Sequence, residues 1–248
     1  MKKVMILLGI LLVGALLFGC TSTNNPQKLP AAESKLCSNG NYSTEYSGGS
    51  IWLDSKSYTK LKESLSVNGN SALQGISDLV CLESLNLNYT KVSDVSALSG
   101  LVNLKELGLS DTAVSDITAV SNLQKLERLE LNSTNVVDIS PLRNLTNLQN
   151  LGLWKTNIVD ISALSALVQL KELHLSDSKV SNISVLNELK GLEVLELYRT
   201  GVSDISSLKG LSSLRYVDLS ITKVSYSDCQ ELKLDLPSAD IKCAGLGA

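Results

Sequence analysis

Apolar and polar residues follow one another along this chain with a period of twenty-two. Leucine opens the unit at Leu79, Leu101, Leu123, Leu145, Leu167, Leu189 and Leu211, with no insertion or deletion between copies. A second column is leucine from Leu82 to Leu214, and a third runs Leu85, Leu107, Leu129, Leu151, Leu173, Leu195 and then Val217. The fourth, Leu87 to Leu219, is leucine throughout. A fixed period of this length marks a solenoid, in which no copy buries its own apolar face and neighbours must cover it. Within each unit an E-L-x-L segment alternates polar and apolar, the period-two pattern of a half-buried strand. Such strands stacked in register predict one parallel sheet, each strand about 4.8 Å from the next.

Two polar columns accompany the leucines. Thr90, Thr112, Thr134, Thr156, Ser178, Thr200 and Thr222 stand where the chain turns away from the sheet. A buried hydroxyl without a partner costs about 1–3 kcal/mol, so the column implies that partners exist. Next come Asp94, Asp116, Asp138, Asp160, Asn182 and Asp204, each ahead of a β-branched residue and a Ser or Thr. These are expected to be N-caps of short helical turns on the convex side. An acidic ladder for calcium is the rival reading, disfavoured because Asn182 interrupts the column in the same capping context.

The L-x-x-L-x-L pattern over residues 79–226 resembles that of leucine-rich repeat proteins, in particular the internalin-like class with its strict 22-residue unit. The resemblance implies an α/β leucine-rich repeat solenoid: a right-handed coil, a parallel sheet on the concave face, short 3-10 or helical turns on the convex face, and a cap at each end. It implies a ladder in which the threonine column bonds the backbone of adjacent coils. It also implies protein recognition through the concave face, without identifying the partner.

The flanks divide accordingly. Residues 1–19 carry two lysines and then an uncharged apolar run, Val4 to Phe18, too short for a membrane span and expected to be a signal peptide. Leu17-Phe18-Gly19-Cys20 resembles a lipobox, which makes Cys20 the expected lipid attachment site and the chain extracytoplasmic, in the cell envelope or at the cell surface. An uncleaved anchor or an ordinary signal peptide are the alternatives. Residues 20–36 read as a polar tether, and 37–78 as an N-terminal cap with a partial repeat at Leu73, Ile76 and Leu79. After seven repeats, residues 227–248 read as a C-terminal cap. Ser227-Asp228-Cys229-Gln230 has the form of a capping box, so a helix to about Leu234 is expected, then a closing strand over Asp240–Cys243.

Composition narrows the chemistry. The formal charge of −3 becomes −5 once Lys2 and Lys3 leave with the signal peptide, which disfavours nucleic acid as a partner. With Cys20 assigned to lipid, four cysteines remain and allow three pairings. Cys37 with Cys81 and Cys229 with Cys243 are local, whereas other pairings must join ends of a stack about 30 Å long. Free thiols in the caps are the alternative. The same distance excludes a four-cysteine zinc site, and no other metal-ligand spacing, phosphate loop or strained nucleophile is present, so neither metal, cofactor nor catalysis is expected.

The outward strand positions give the candidate site. Trp154 and Tyr198 share a column two strands apart, about 10 Å from each other, with the small Ser176 between them. His174, the one histidine, lies a column over, and Gly152 is expected to open space beside Trp154. Lys155, Asp177 and Arg199 rim the group, and Glu196 and Tyr216 adjoin it. Exposed Trp, Tyr and Arg on one face are the residue types that dominate binding hot spots. The reading is a non-catalytic binding protein with a protein partner. A glycan stacked between Trp154 and Tyr198, or a structural envelope spacer with no ligand, are the alternatives.

Overall fold

The repeating E-L-x-L segments form strands three residues long, because the turns on either side leave room for no more. In the computed structural model, which describes residues 82–243 together with Leu73, Ile76–Asp78 and Val80, these are β1 (Ser84–Asn86), β2 (Glu106–Gly108), β3 (Arg128–Glu130), β4 (Asn150–Gly152), β5 (Glu172–His174), β6 (Val194–Glu196) and β7 (Tyr216–Asp218). A last strand, β8 (Asp240–Lys242), completes one parallel sheet in the order β1 to β8. Leu85, Leu107, Leu129, Leu151, Leu173, Leu195 and Val217 stand side by side across β1 to β7. The opposite wall is a series of short 3-10 turns such as Ser96–Leu98, Thr118–Asn122 and Ser140–Leu142. Between sheet and turns the leucine columns form one continuous core; Leu104, Leu126, Leu148, Leu170 and Leu192 are all 0% exposed. Burial of this kind stabilises by about 1.5–3 kcal/mol per side chain.

The threonine column is buried but does not form the ladder the resemblance implied. Thr90 Oγ1 donates to the Leu87 carbonyl of its own coil at 2.7 Å, and Thr112, Thr134, Thr156, Thr200 and Thr222 repeat that bond three residues back at 2.6–2.7 Å. Adjacent coils are joined instead by backbone: Tyr89 N–H donates to the Ser110 carbonyl at 2.9 Å and Ala113 N–H to the Val92 carbonyl at 3.0 Å. The hydroxyl serves its own turn because the chain has just left the sheet there and that carbonyl finds no strand partner.

The turn carries strain at one place. The residue before each member of the column, six threonines and Ser178, lies at positive φ, from Tyr89 at 61° to Arg199 at 52°, and the seventh is the β-branched Ile221 at 57°. Branching at Cβ makes that conformation costly, whereas asparagine tolerates it. Ile221→Asn is therefore expected to raise stability by about 1 kcal/mol in urea unfolding; an unchanged or lowered midpoint would show that the exposed isoleucine contributes packing that outweighs the strain.

The aspartate column closes the convex turns one residue earlier than N-caps would. Each Oδ1 accepts the backbone N–H two residues on, at 2.8–2.9 Å from Asp94 to Ser96 through Asn182 to Ser184 and Asp204 to Ser206. The N-cap position itself is held by Val95, Ile117, Ile139, Ile161, Ile183 or Ile205, which offers no side-chain bond. The Ser96 N–H holds the Asp94 carboxyl below its ordinary range, as the Thr118 hydroxyl does for Asp116 and the Ser140 and Ser206 N–H groups do for Asp138 and Asp204.

The C-terminal end departs from the period. Helix α1 spans Tyr226–Asp235, and its N-cap is Ser225, whose Oγ accepts the Asp228 N–H at 3.1 Å and donates to the Asp228 carboxylate at 2.6 Å. The expected box at Ser227 thus sits two residues earlier, where Asp228 falls at the third helical position. Cys229 is buried on the inner side of α1 and pairs with Cys243, with Cα atoms 6.2 Å apart. Tyr216 pairs with Asp240, a separation of 24 residues where every earlier pair is separated by 22, because the helix lengthens this coil. At the other end Leu73 is buried and Ile76 packs against the core, while Cys20, the proposed Cys37–Cys81 bridge and the segments before residue 73 lie outside the described residues.

Candidate functional site

Strand alternation turns one set of side chains onto the open face of the sheet, and rungs β4 to β7 bring the predicted residues together there. Trp154, just past β4, is 41% exposed, and Tyr198, just past β6, is half-buried on the same face. Ser176 between them is buried. The two rings are tied by the rung in the middle. Asp177 accepts the Trp154 indole N–H through Oδ2 at 3.2 Å and holds Arg199 Nη1 through Oδ1 at 3.1 Å. Arg199 in turn lies over the Tyr198 ring, 5.3 Å from its centroid, with Nη2 3.4 Å from the Tyr198 hydroxyl. Lys155 Nζ is 5.8 Å from the Trp154 ring centroid. One aspartate therefore connects the anchors predicted at both ends of the patch.

His174 is bracketed by carboxylates. Its Nδ1 is 2.9 Å from Glu196 of β6, and its Nε2 is 3.8 Å from Glu172 of its own strand. Tyr216 is drawn into a separate pair: Lys242 of β8 donates to its hydroxyl at 2.9 Å and lies 4.9 Å from its ring centroid. That bond, followed by the charges of Asp218 and Asp240, holds the Lys242 ammonium above its ordinary range.

The space at Gly152 is not open. A Cβ there would stand 2.7 Å from Asn132 Oδ1, because the Asn132 side chain crosses from the preceding rung to accept the Trp154 backbone N–H at 2.9 Å. The same device occurs two rungs earlier, where Asn88 crosses Gly108 to accept the Ser110 N–H at 2.7 Å. Glycine is required at both places to let a neighbour's side chain lie across the strand. Sequence reasoning overlooked Asn132, Glu172 and Lys242. Asn132 had a signal, since the pairs Asn88/Gly108 and Asn132/Gly152 recur forty-four residues apart. Lys242 had none, since its contact depends on the longer last coil.

The chain has recognisable relatives by fold. The profile described as leucine-rich repeats (2 copies) matches residues 102–144 and 146–188. No curated protein matches it. Among solved structures, an internalin (inlF) from Listeria monocytogenes is 28% identical over 69% of this chain and 56% of its own, with a TM-score of 0.57. An internalin C2 from the same organism is 29% identical over 66% of this chain and 72% of its own, with a TM-score of 0.62. A leucine-rich repeat protein from Leptospira interrogans, 23% identical over 68% of this chain and 50% of its own at a TM-score of 0.59, shares the fold. The chain thus spans only 56% of the length of the inlF internalin.

Proposed function

Because this chain is a leucine-rich repeat solenoid, we propose that it is a non-catalytic, extracytoplasmic binding protein that holds a protein partner against its concave sheet face. The binding patch comprises Trp154, His174 and Tyr198, with Lys155, Asp177, Arg199, Glu196 and Tyr216 around them. The observation that carries this reading is the run of contacts Trp154–Asp177–Arg199–Tyr198. It sets an exposed indole and a guanidinium in place before any partner arrives, and side chains already ordered lose less entropy on binding. The internalin resemblance favours a protein ligand. So does Arg199, which already lies over the Tyr198 ring, 5.3 Å from its centroid, and leaves less of that ring for a sugar to stack on.

In-cell cross-linking followed by mass spectrometry is the test, comparing the wild type with Trp154→Ala. A proteinaceous partner bound through this face is expected to lose about 2 kcal/mol or more of affinity in the variant. Strong binding on a glycan array, abolished by the same substitution, would replace the protein ligand with a carbohydrate. The sequence around Cys20 supports lipid attachment to an envelope membrane. Cys20→Ser is expected to move the protein into the soluble fraction; retention with the membranes would argue for an uncleaved anchor.

A further inference from the structure

Charge is distributed unevenly over this solenoid. The outward positions of the eight strands hold Glu106, Glu130, Glu172, Glu196, Asp218 and Asp240 against two permanent cations, Arg128 and Lys242. Their formal balance of −4 exceeds the −3 of the whole 248-residue chain, and none of the six carboxylates is buried. The convex side also carries aspartates, but those are committed to their own turns, each accepting a backbone N–H. On the sheet face some carboxylates have donors too, Glu130 from Asn88 Nδ2 at 2.9 Å and Asp218 from the Ser220 N–H at 2.9 Å, but these donors are uncharged and leave the negative charge in place. Between Glu172 and Glu196 lies only the His174 ring, its nitrogens 3.8 and 2.9 Å from them.

The aromatic rings of the same face are paired within the chain. Each of the aromatic rings Trp154, Tyr198 and Tyr216 has one of the chain's own cations beside it, Lys155, Arg199 and Lys242, at 5.8, 5.3 and 4.9 Å from the ring centroid. The face of an aromatic ring is the negative end of its quadrupole and attracts ammonium and guanidinium groups. These rings are already served by the chain's own cations, so it is the carboxylates of the face that remain for cations from outside.

We propose that the segment of the partner held on this face is basic, with lysine or arginine side chains set among apolar ones. Its cations meet Glu130, Glu172 and Glu196, and its apolar side chains rest against Trp154. This inference rests on the binding-face reading above and adds the partner's chemistry to it. Complementary charge of this kind speeds encounter, excludes acidic competitors and weakens as salt rises.

The purified full-length chain on an array of short random peptides, at low and at raised salt, provides the test. Bound peptides are expected to be enriched in Lys and Arg, with signals that fall as salt rises. The triple substitution Glu130→Gln, Glu172→Gln and Glu196→Gln should lower those signals about tenfold. Asp116→Asn, Asp138→Asn and Asp160→Asn make the same change of charge on the convex side and should leave them unchanged. That control keeps the turns, since Asn182 already accepts the Ser184 N–H at 2.9 Å in the equivalent place. Bound peptides without basic enrichment, or equal losses in both triples, overturn the inference. Trp154→Ala separates the two levels. If it abolishes binding to peptides that are not basic, the binding face stands and the basic partner falls; if it changes nothing, the binding face is at fault as well.

Discussion

Leu151→Ala is expected to cost about 3–5 kcal/mol and to broaden the unfolding of the whole solenoid. Leu151 is the central residue of β4, 0% exposed, and stands between Leu129 and Leu173 in the register. Truncation there removes buried methyl groups and leaves a cavity that two flanking leucines, anchored in their own strands, can close only in part. A compact domain spreads such a loss over many contacts. A solenoid is held by nearest-neighbour interfaces, so the same loss falls on the two interfaces that join the N-terminal coils to the C-terminal ones. Measured against a total stability of about 5–15 kcal/mol, this is enough to uncouple the halves. Urea unfolding followed by circular dichroism and by the fluorescence of Trp154, with Trp52 replaced by Phe, should then give transitions that no longer coincide. A loss below about 1 kcal/mol, within the range of surface substitutions, would mean that the coils collapse onto the gap. Val102→Ala serves as the reference, since Val102 is 47% exposed and should change little.

Replacing Cys229 and Cys243 together by serine is expected to remove about 3 kcal/mol, the value for a loop of this size, the two residues being 14 apart in sequence. The loss should be local. Helix α1 and β8 cover the last coil, where Leu219 N–H donates to the Lys242 carbonyl at 2.9 Å and Asp240 N–H to the Arg215 carbonyl at 2.7 Å. Hydrogen exchange at Leu219 and Asp240 should therefore accelerate well before that of Leu109 or Leu131 in the middle of the stack. Uniform acceleration along the chain would show that the C-terminal cap is needed to nucleate the whole solenoid. The same variant reaches the binding face, because Lys242 is held over Tyr216 by β8. Losing that strand uncovers the Tyr216 ring and removes one of the two cations on the sheet.

The repeat itself was legible because a solenoid converts position in the chain into position in space. Once residues twenty-two apart become neighbours, Leu107 must lie beside Leu129 and Trp154 must share a face with Tyr198, whatever the side chains do in detail. The alternation within E-L-x-L settled which residues face outward, and the loss of the period at Tyr226, which stands in the aspartate column, marked where a cap begins. The spacing of Cys229 and Cys243 placed both in that cap, and they are joined there.

What the period could not settle is where a side chain reaches once it leaves its own rung. Thr90 could have bonded the next coil and instead bonds Leu87 of its own, because a hydroxyl on a short side chain takes the nearest unpaired carbonyl. Asn132 fills the hollow at Gly152 from the rung before, so a position that reads as empty in the sequence is occupied in space. Asp177, read as a rim residue, joins Trp154 to Arg199, and Lys242 reaches Tyr216 only because α1 shifts the last register from 22 to 24 residues. Backbone position follows from counting residues, since every coil is the same length until the cap. Contact between side chains depends on rotamer, reach and which neighbour offers an unmet donor or acceptor, and those exist only after the coils have stacked.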